Sequence, residues 1–199
     1  MIPKALTIIR DEHQAIAAVL HALRHTVREI RRQPAAPDFE VLRTLIFYID
    51  AYPERLHHPK ETQHLFSCLR ARSPEAGALL DRLDREHADG EQEIRRLEHQ
   101  LLEYEMLGAA RFAPFEAGVE AFCDRYVEHM HAEEEHVLPL AAKLLTEADW
   151  ARIDAEFEAN RDPLTGHPPE KEFAALFERI VNLLPPPIGV GSARGGPRG

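Results

Sequence analysis

The sequence predicts an all-α protein: an up-down-up-down bundle of four long helices with a helical extension at its C-terminal end. Two observations carry this reading. Apolar residues recur at alternating spacings of three and four, the period of a helix face, along four stretches separated by short breaks containing Pro or Gly. No strand-like alternation interrupts them. A third observation bears on function: histidines occupy slots in these apolar stripes.

The first helix is expected from about Pro3 to Arg32, along Leu6, Ile9, His13, Ile16, Leu20, Leu23, Val27 and Ile30. Gln33 to Pro37 breaks it. Asp38 is a good cap for a second helix reaching about Arg72, in which Pro53 and Pro59 require a kink or an unwound turn beside His57. Ser73-Pro74 opens the third, with Leu80, Leu83, His87, Glu91, Ile94, Leu97 and Leu101 on its seam and its end near Gly108. The fourth runs from about Ala113 to Leu145 along Val119, Phe122, Tyr126, His129, Glu133, Val137 and Leu140. Short connections between long helices make neighbours antiparallel.

Thr146 and Asp149 suit the capping box of a fifth helix, docked by Trp150 and Phe157. Asp162 to Pro169 reads as a loop and Glu170 to Leu184 as a sixth helix. From Pro185 the chain has the composition of a tail that cannot pack. The expected organisation is therefore a bundle over 1–145, an extension over 146–184 and a tail over 185–199.

With 199 residues and 44% apolar content, the chain is long enough for a substantial core. A formal charge of −10 argues against nucleic acid as a partner, because a phosphate-binding face needs clustered Lys and Arg. No apolar run has the length of a membrane span, and the opening MIPKALTIIRDEH has no hydrophobic signal core. Cys68 and Cys123 form no disulfide framework and read as small buried hydrophobes. Together these features predict a cytoplasmic location without a membrane partner.

His57 is followed four residues later by Glu61, His87 by Glu91 and His129 by Glu133, while His13 stands alone on the first helix. Four residues is about one helical turn, so each pair projects from one face. At ~1.5 Å per residue, the antiparallel arrangement brings all four histidines to one level of the bundle. Burying three carboxylates uncompensated costs several kcal/mol each, which a pair of cations offsets. Mixed imidazole and carboxylate ligation suits iron ahead of manganese or zinc. His131 and His58 are rotated off these faces and read as solvent-facing or supporting groups, whereas His64 and His136 are ambiguous. Glu61-x-x-His64 and Glu133-x-x-His136, joined by Glu12 and Glu86, also match the pattern of ferritin-like di-iron carboxylate proteins.

With His13, the segments HHPKETQHLF (57–66), EHADGE (86–91) and HMHAEEEHVLP (129–139) resemble the hemerythrin-like, or HHE cation-binding, family over about residues 3 to 145. The resemblance implies two iron ions in an oxo- or hydroxo-bridged non-haem centre that meets O2, nitric oxide or peroxide. It further implies His13 and His57 on one iron, His87, Glu91 and His129 on the other, and Glu61 and Glu133 between them. The exchangeable position is then expected on the iron of His13 and His57. Glu91 stands where oxygen-carrying members have a fifth histidine, and Glu133 where they have an aspartate one residue further on. The more anionic set is expected to favour the oxidised irons over reversible oxygen storage. Sensing or binding, enzymatic removal of peroxide or nitric oxide, and iron storage remain the three classes of function, with the reductant and any protein partner unassigned.

Overall fold

The computed structural model describes residues 2–32, 37–159, 161–165, 178 and 180–182. Among them all regular structure is helical. Four rods pack cyclically, the first on the second and fourth, and the third likewise. The first rod is α1, Lys4–Arg32. The second is an unbroken run of helical turns of varying width: α2 Phe39–Ile49, wide π-type turns over Asp50–His57, a short α3 His58–Lys60, wide turns again over Glu61–Phe66, and α4 Ser67–Arg72. The third is α5, Gly77–Leu107, entered through a 3-10 turn at Pro74–Ala76. The fourth comprises α6 Phe112–Ala132, wide turns over Glu133–Val137 and α7 Leu138–Leu144.

Local chemistry sets the ends. The Asp38 carboxylate accepts from the Val41 N–H at 3.1 Å and caps α2. Gly108, at φ +81°, ends α5 in a backbone region that L side chains avoid. Pro53 and Pro59 supply no N–H to the second rod, and Pro53 lies inside its first wide segment. The proline region therefore stays helical but underwound, where a kink or an unwound turn was expected. Wide turns of this type gather at functional sites, and here all three wide segments adjoin the histidines.

The apolar interior is split in two. One core holds Ala15, Ile16 and Val19 of α1 with Leu45, Ile49, Ile94, Leu97, Val119 and Phe122. The other holds Leu6 and Ile9 of α1 with Leu65, Phe66, Leu80, Leu83, Val137 and Leu138. Between them every rod contributes polar residues: Glu12 and His13, then Glu54, His57, His58, Lys60 and Glu61, then His87, then His129 and Glu133. The first and third rods run from the second core into the first, and the second and fourth run the opposite way. Each fully buried aliphatic side chain contributes about 1.5–3 kcal/mol, so two cores can bear an unfavourable polar layer between them.

Helix α8, Glu147–Ala159, begins at a reciprocal cap in which Asp149 Oδ2 accepts the Thr146 N–H at 3.0 Å and Thr146 Oγ1 accepts the Asp149 N–H at 3.3 Å. Trp150, Ile153 and Phe157 are buried in the second core. A 3-10 turn follows at Pro163–Thr165. Of the expected sixth helix, 178 and 180–182 are helical, with Ile180 buried in the first core; the rest of it and the tail from Pro185 lie outside the described residues. Cys123 is buried, which pushes its thiol up to about 12. Cys68 departs from the expectation of a buried hydrophobe: it is half-buried, with the Arg152 guanidinium 3.6 Å from its sulfur. No helix among the described residues is long and apolar enough to cross a membrane.

Candidate metal centre

Six of the seven residues expected from the sequence meet in the polar layer. Glu61 and Glu133 lie at its middle, 0% and 1% exposed. His57 Nε2 is 3.3 Å and His13 Nε2 3.9 Å from Glu61, and His13 Nε2 is 3.4 Å from Glu133. On the opposite side His129 Nε2 lies 3.3 Å and His87 Nε2 3.7 Å from Glu133 Oε1, while His87 Nε2 is also 3.7 Å from Glu61. The two imidazoles approach each other at 2.9 Å between Nε2 atoms. His13, His57 and Glu61 offer ligand atoms within reach of one cation, and Glu61, His87, His129 and Glu133 within reach of another.

Each of these histidines is held from behind. His57 Nδ1 donates to Glu12 at 2.7 Å, His13 Nδ1 to Glu134 at 2.9 Å and His129 Nδ1 to Glu86 at 2.8 Å. His87 Nδ1 donates at 2.8 Å to the Thr62 hydroxyl, which passes its own proton to Asp84 at 2.9 Å. With Nδ1 engaged on the outer side in every case, Nε2 is the nitrogen turned inward, the one that would bind a metal once it is deprotonated. Glu12 and Glu86, the glutamates of the ferritin-like alternative, thus sit outside the histidines as their orienting partners. His136 is exposed, and His64, half-buried, is 3.8 Å from Glu156 of α8. His131 is exposed, as its rotation predicts.

Glu91 is a correction. It is exposed, 3.3 Å from the Arg95 guanidinium on the surface of α5. The buried stripe of that helix steps from His87 to Gly90 and Ile94, so the inward slot belongs to Gly90. A Cβ at Gly90 would stand 2.6 Å from Glu54 Oε2; the space is taken by the second rod.

His58, read from the sequence as solvent-facing or as a supporting group, lies inside the layer. It is 5% exposed, stacked on His87 with ring centroids 4.2 Å apart. Its Nδ1 meets Glu54 at 3.2 Å and its Nε2 the Tyr126 hydroxyl at 3.0 Å. His58, His87 and His129 also lie within reach of one cation. A rotation of 100° per residue, applied to an ordinary helix, separates His57 from His58; the underwound turns around them let both face inward. The adjacent prolines were the available signal.

The charge pattern follows from crowding. Burial and then the facing Glu133 push the Glu61 carboxyl well up. Burial also opposes ionisation of Glu133, but His129 and His13 hold it well below the usual carboxylate range. Burial disfavours charge on His13 and His129, yet their carboxylate partners raise both to about 10. Burial pushes His57 down to about 4 despite Glu12. Both oxygens of Glu61, both of Glu133, and Nε2 of His13 and His57 have no hydrogen-bond partner among the described residues. Buried polar atoms left this way cost free energy that a coordinated cation recovers.

A layer of imidazoles and carboxylates inside a four-rod helical bundle defines a cation-binding bundle protein. The family model of the hemerythrin HHE cation-binding domain matches residues 4–141, from the start of α1 into α7. The chain belongs to that family. No curated protein and no solved structure matches it.

Proposed function

We propose that this chain is a non-haem di-iron protein that binds or reacts with O2, nitric oxide or peroxide. The observation that carries the reading is the set of inward atoms without partners, Nε2 of His13 and His57 and the carboxylates of Glu61 and Glu133, with His13, His57, His87 and His129 each fixed by a bond on its far side. Nitrogen and oxygen donors in this mixture suit iron. His13 and His57 would hold one ion, His87 and His129 the other with His58 as a further imidazole, and Glu61 and Glu133 would be shared. Iron, when bound, supplies the redox chemistry. The protein fixes the donors in a layer between two apolar cores. Tyr126, beside His58, is placed to hold or release a proton at that nitrogen.

Exchanging Glu91 for His58 changes the electronic expectation. The set becomes five imidazoles and two carboxylates, so the anionic excess inferred from Glu91 disappears. Reversible O2 binding then stands level with reaction with nitric oxide or peroxide. The ferritin-like reading loses support, because His64 and His136 lie outside the layer and Glu12 and Glu86 behind its histidines.

His87→Ala is expected to abolish stoichiometric iron binding and His131→Ala to leave it intact, measured by iron content after anaerobic loading. Equal losses in both variants would refute this choice of helical faces. Exposure of the loaded protein to O2 then separates the classes of function. Reversible spectral change on degassing marks a binder, sustained consumption with a reductant an enzyme, and uptake of many irons per chain a storage protein.

A further inference from the structure

The two flanks of the polar layer are built differently. Behind His57, the Glu12 carboxylate that orients it also accepts from the Asp162 backbone N–H at 3.3 Å and from Lys60 Nζ at 3.4 Å. The Lys60 ammonium lies 4.8 Å over the Phe157 ring of α8, and Glu134 covers His13. Buried, mutually bonded groups close this flank, and the ammonium among them repels an approaching cation. On the other flank a cleft of about 210 Å³ runs between α5 and α6 and reaches His58 and His129. Its lining is mostly acidic. Arg82 is paired with Glu86 at 3.7 Å and Arg125 with Glu93 at 2.6 Å, so exposed Asp89 and Glu128 leave the mouth with surplus negative charge.

Glu54 stands at the inner end, 2% exposed. Its Oε2 meets His58 Nδ1 at 3.2 Å, and its Oε1 has no hydrogen-bond partner among the described residues. The carboxylate is turned into the cleft: a Cβ on Gly90, in the cleft wall, would stand 2.6 Å from Oε2 and 3.1 Å from Oε1. A buried carboxylate oxygen left this way costs free energy that a cation beside it recovers. Among the described residues, however, Glu54 belongs to none of the donor groups within reach of one cation. It is a stop before the centre and no part of its donor set.

We propose, on the di-iron reading above, that this cleft is the loading route of the centre: Asp89 and Glu128 gather a hydrated divalent cation at the mouth, and Glu54 receives it there and passes it to His58 and His129. An acidic mouth on a narrow cleft raises the local concentration of cations and their rate of capture, and salt screens the effect. Gly90 keeps the inner end clear, since any side chain there meets Glu54. The route governs how fast metal enters and not how much is held.

The test is uptake of Co²⁺ by the metal-free protein, followed by stopped flow through the visible absorption of the ligated ion, with bound metal counted afterwards. At low ionic strength, Asp89→Lys combined with Glu128→Lys is expected to slow uptake by about tenfold, an effect that salt suppresses, with two ions per chain still bound at the end. Glu147→Lys combined with Glu156→Lys makes the same change of net charge at exposed positions of α8 and is expected to leave the rate unchanged. Glu54→Gln keeps the size of the side chain, removes its charge and is expected to slow uptake at high salt as well. Should Glu54→Gln fail to fold, the two lysine pairs, on exposed positions, decide alone. Equal slowing by both lysine pairs overturns the route, as does uptake at the unsubstituted rate in the Asp89 and Glu128 variant or in folded Glu54→Gln; either leaves the metal site standing. An unsubstituted protein that takes up no metal overturns the di-iron reading and this inference with it.

Discussion

Glu12 joins the site to the far end of the chain: one oxygen accepts from His57 Nδ1 at 2.7 Å and the other from the Asp162 N–H at 3.3 Å. A carboxylate behind a metal-binding imidazole fixes its tautomer and raises its basicity. Glu12→Ala is therefore expected to weaken iron binding by about 10–100-fold while leaving helix content unchanged. Competition with a chelator, monitored beside circular dichroism, measures this. Unchanged affinity would mean that His57 needs no orienting partner.

His58 and Glu91 give opposite expectations. Glu91→Ala removes an exposed partner of Arg95 and is expected to keep full iron content, with stability within about 0.5 kcal/mol of the unsubstituted protein. His58→Ala removes an imidazole stacked on His87 and is expected to lower the iron bound per chain. Iron analysis of the two variants side by side checks the exchange of roles, and the reverse pattern would restore Glu91.

Leu83 is 0% exposed in the second core, one turn before His87 on α5. Leu83→Ala is expected to cost about 2–5 kcal/mol, from lost transfer energy and the cavity left behind. Urea unfolding of metal-free protein reads it directly. A loss under 1 kcal/mol, small for this class of substitution, would mean that the two cores collapse around the deletion.

The cap of α8 carries an acid dependence. Hydrogen bonds from the Thr146 side chain and backbone, helped by Arg72 and Arg152, hold the Asp149 carboxyl down at about 2 from its ordinary 3.8. A depressed folded value means that the stabilisation is fully present above the unfolded pKa and is lost as pH falls from about 4 towards about 2. The difference in melting temperature between the protein and Asp149→Asn should accordingly narrow across that window. A constant difference would show that the cap does not depend on the charge.

The four-rod architecture was legible because apolar stripes of period 3.6 demand burial and are long enough to be unambiguous. The histidine layer was legible for the same reason, since His13, His57, His87 and His129 interrupt those stripes. What the spacing could not reveal is winding. The second rod is underwound around its prolines, so counting at 100° per residue left His58 as solvent-facing or supporting and missed its stacking on His87. On α5 the miss was one of register: the buried slot falls on Gly90, one residue before Glu91, and a residue without a side chain gives no apolar signal. Glu12 and Glu86, behind His57 and His129, were visible only as a rival ligand set, because a helix position one residue off the seam reads alike for donor and support.

The central claim, two iron ions held between Glu61 and Glu133 by histidines from all four rods, is tested most directly by titrating the anaerobic metal-free protein with Fe²⁺ and then admitting air. Two irons per chain, with oxo-bridged di-ferric charge-transfer absorption developing on oxidation, is the predicted result. No iron bound by a protein whose helical signal is intact would contradict it.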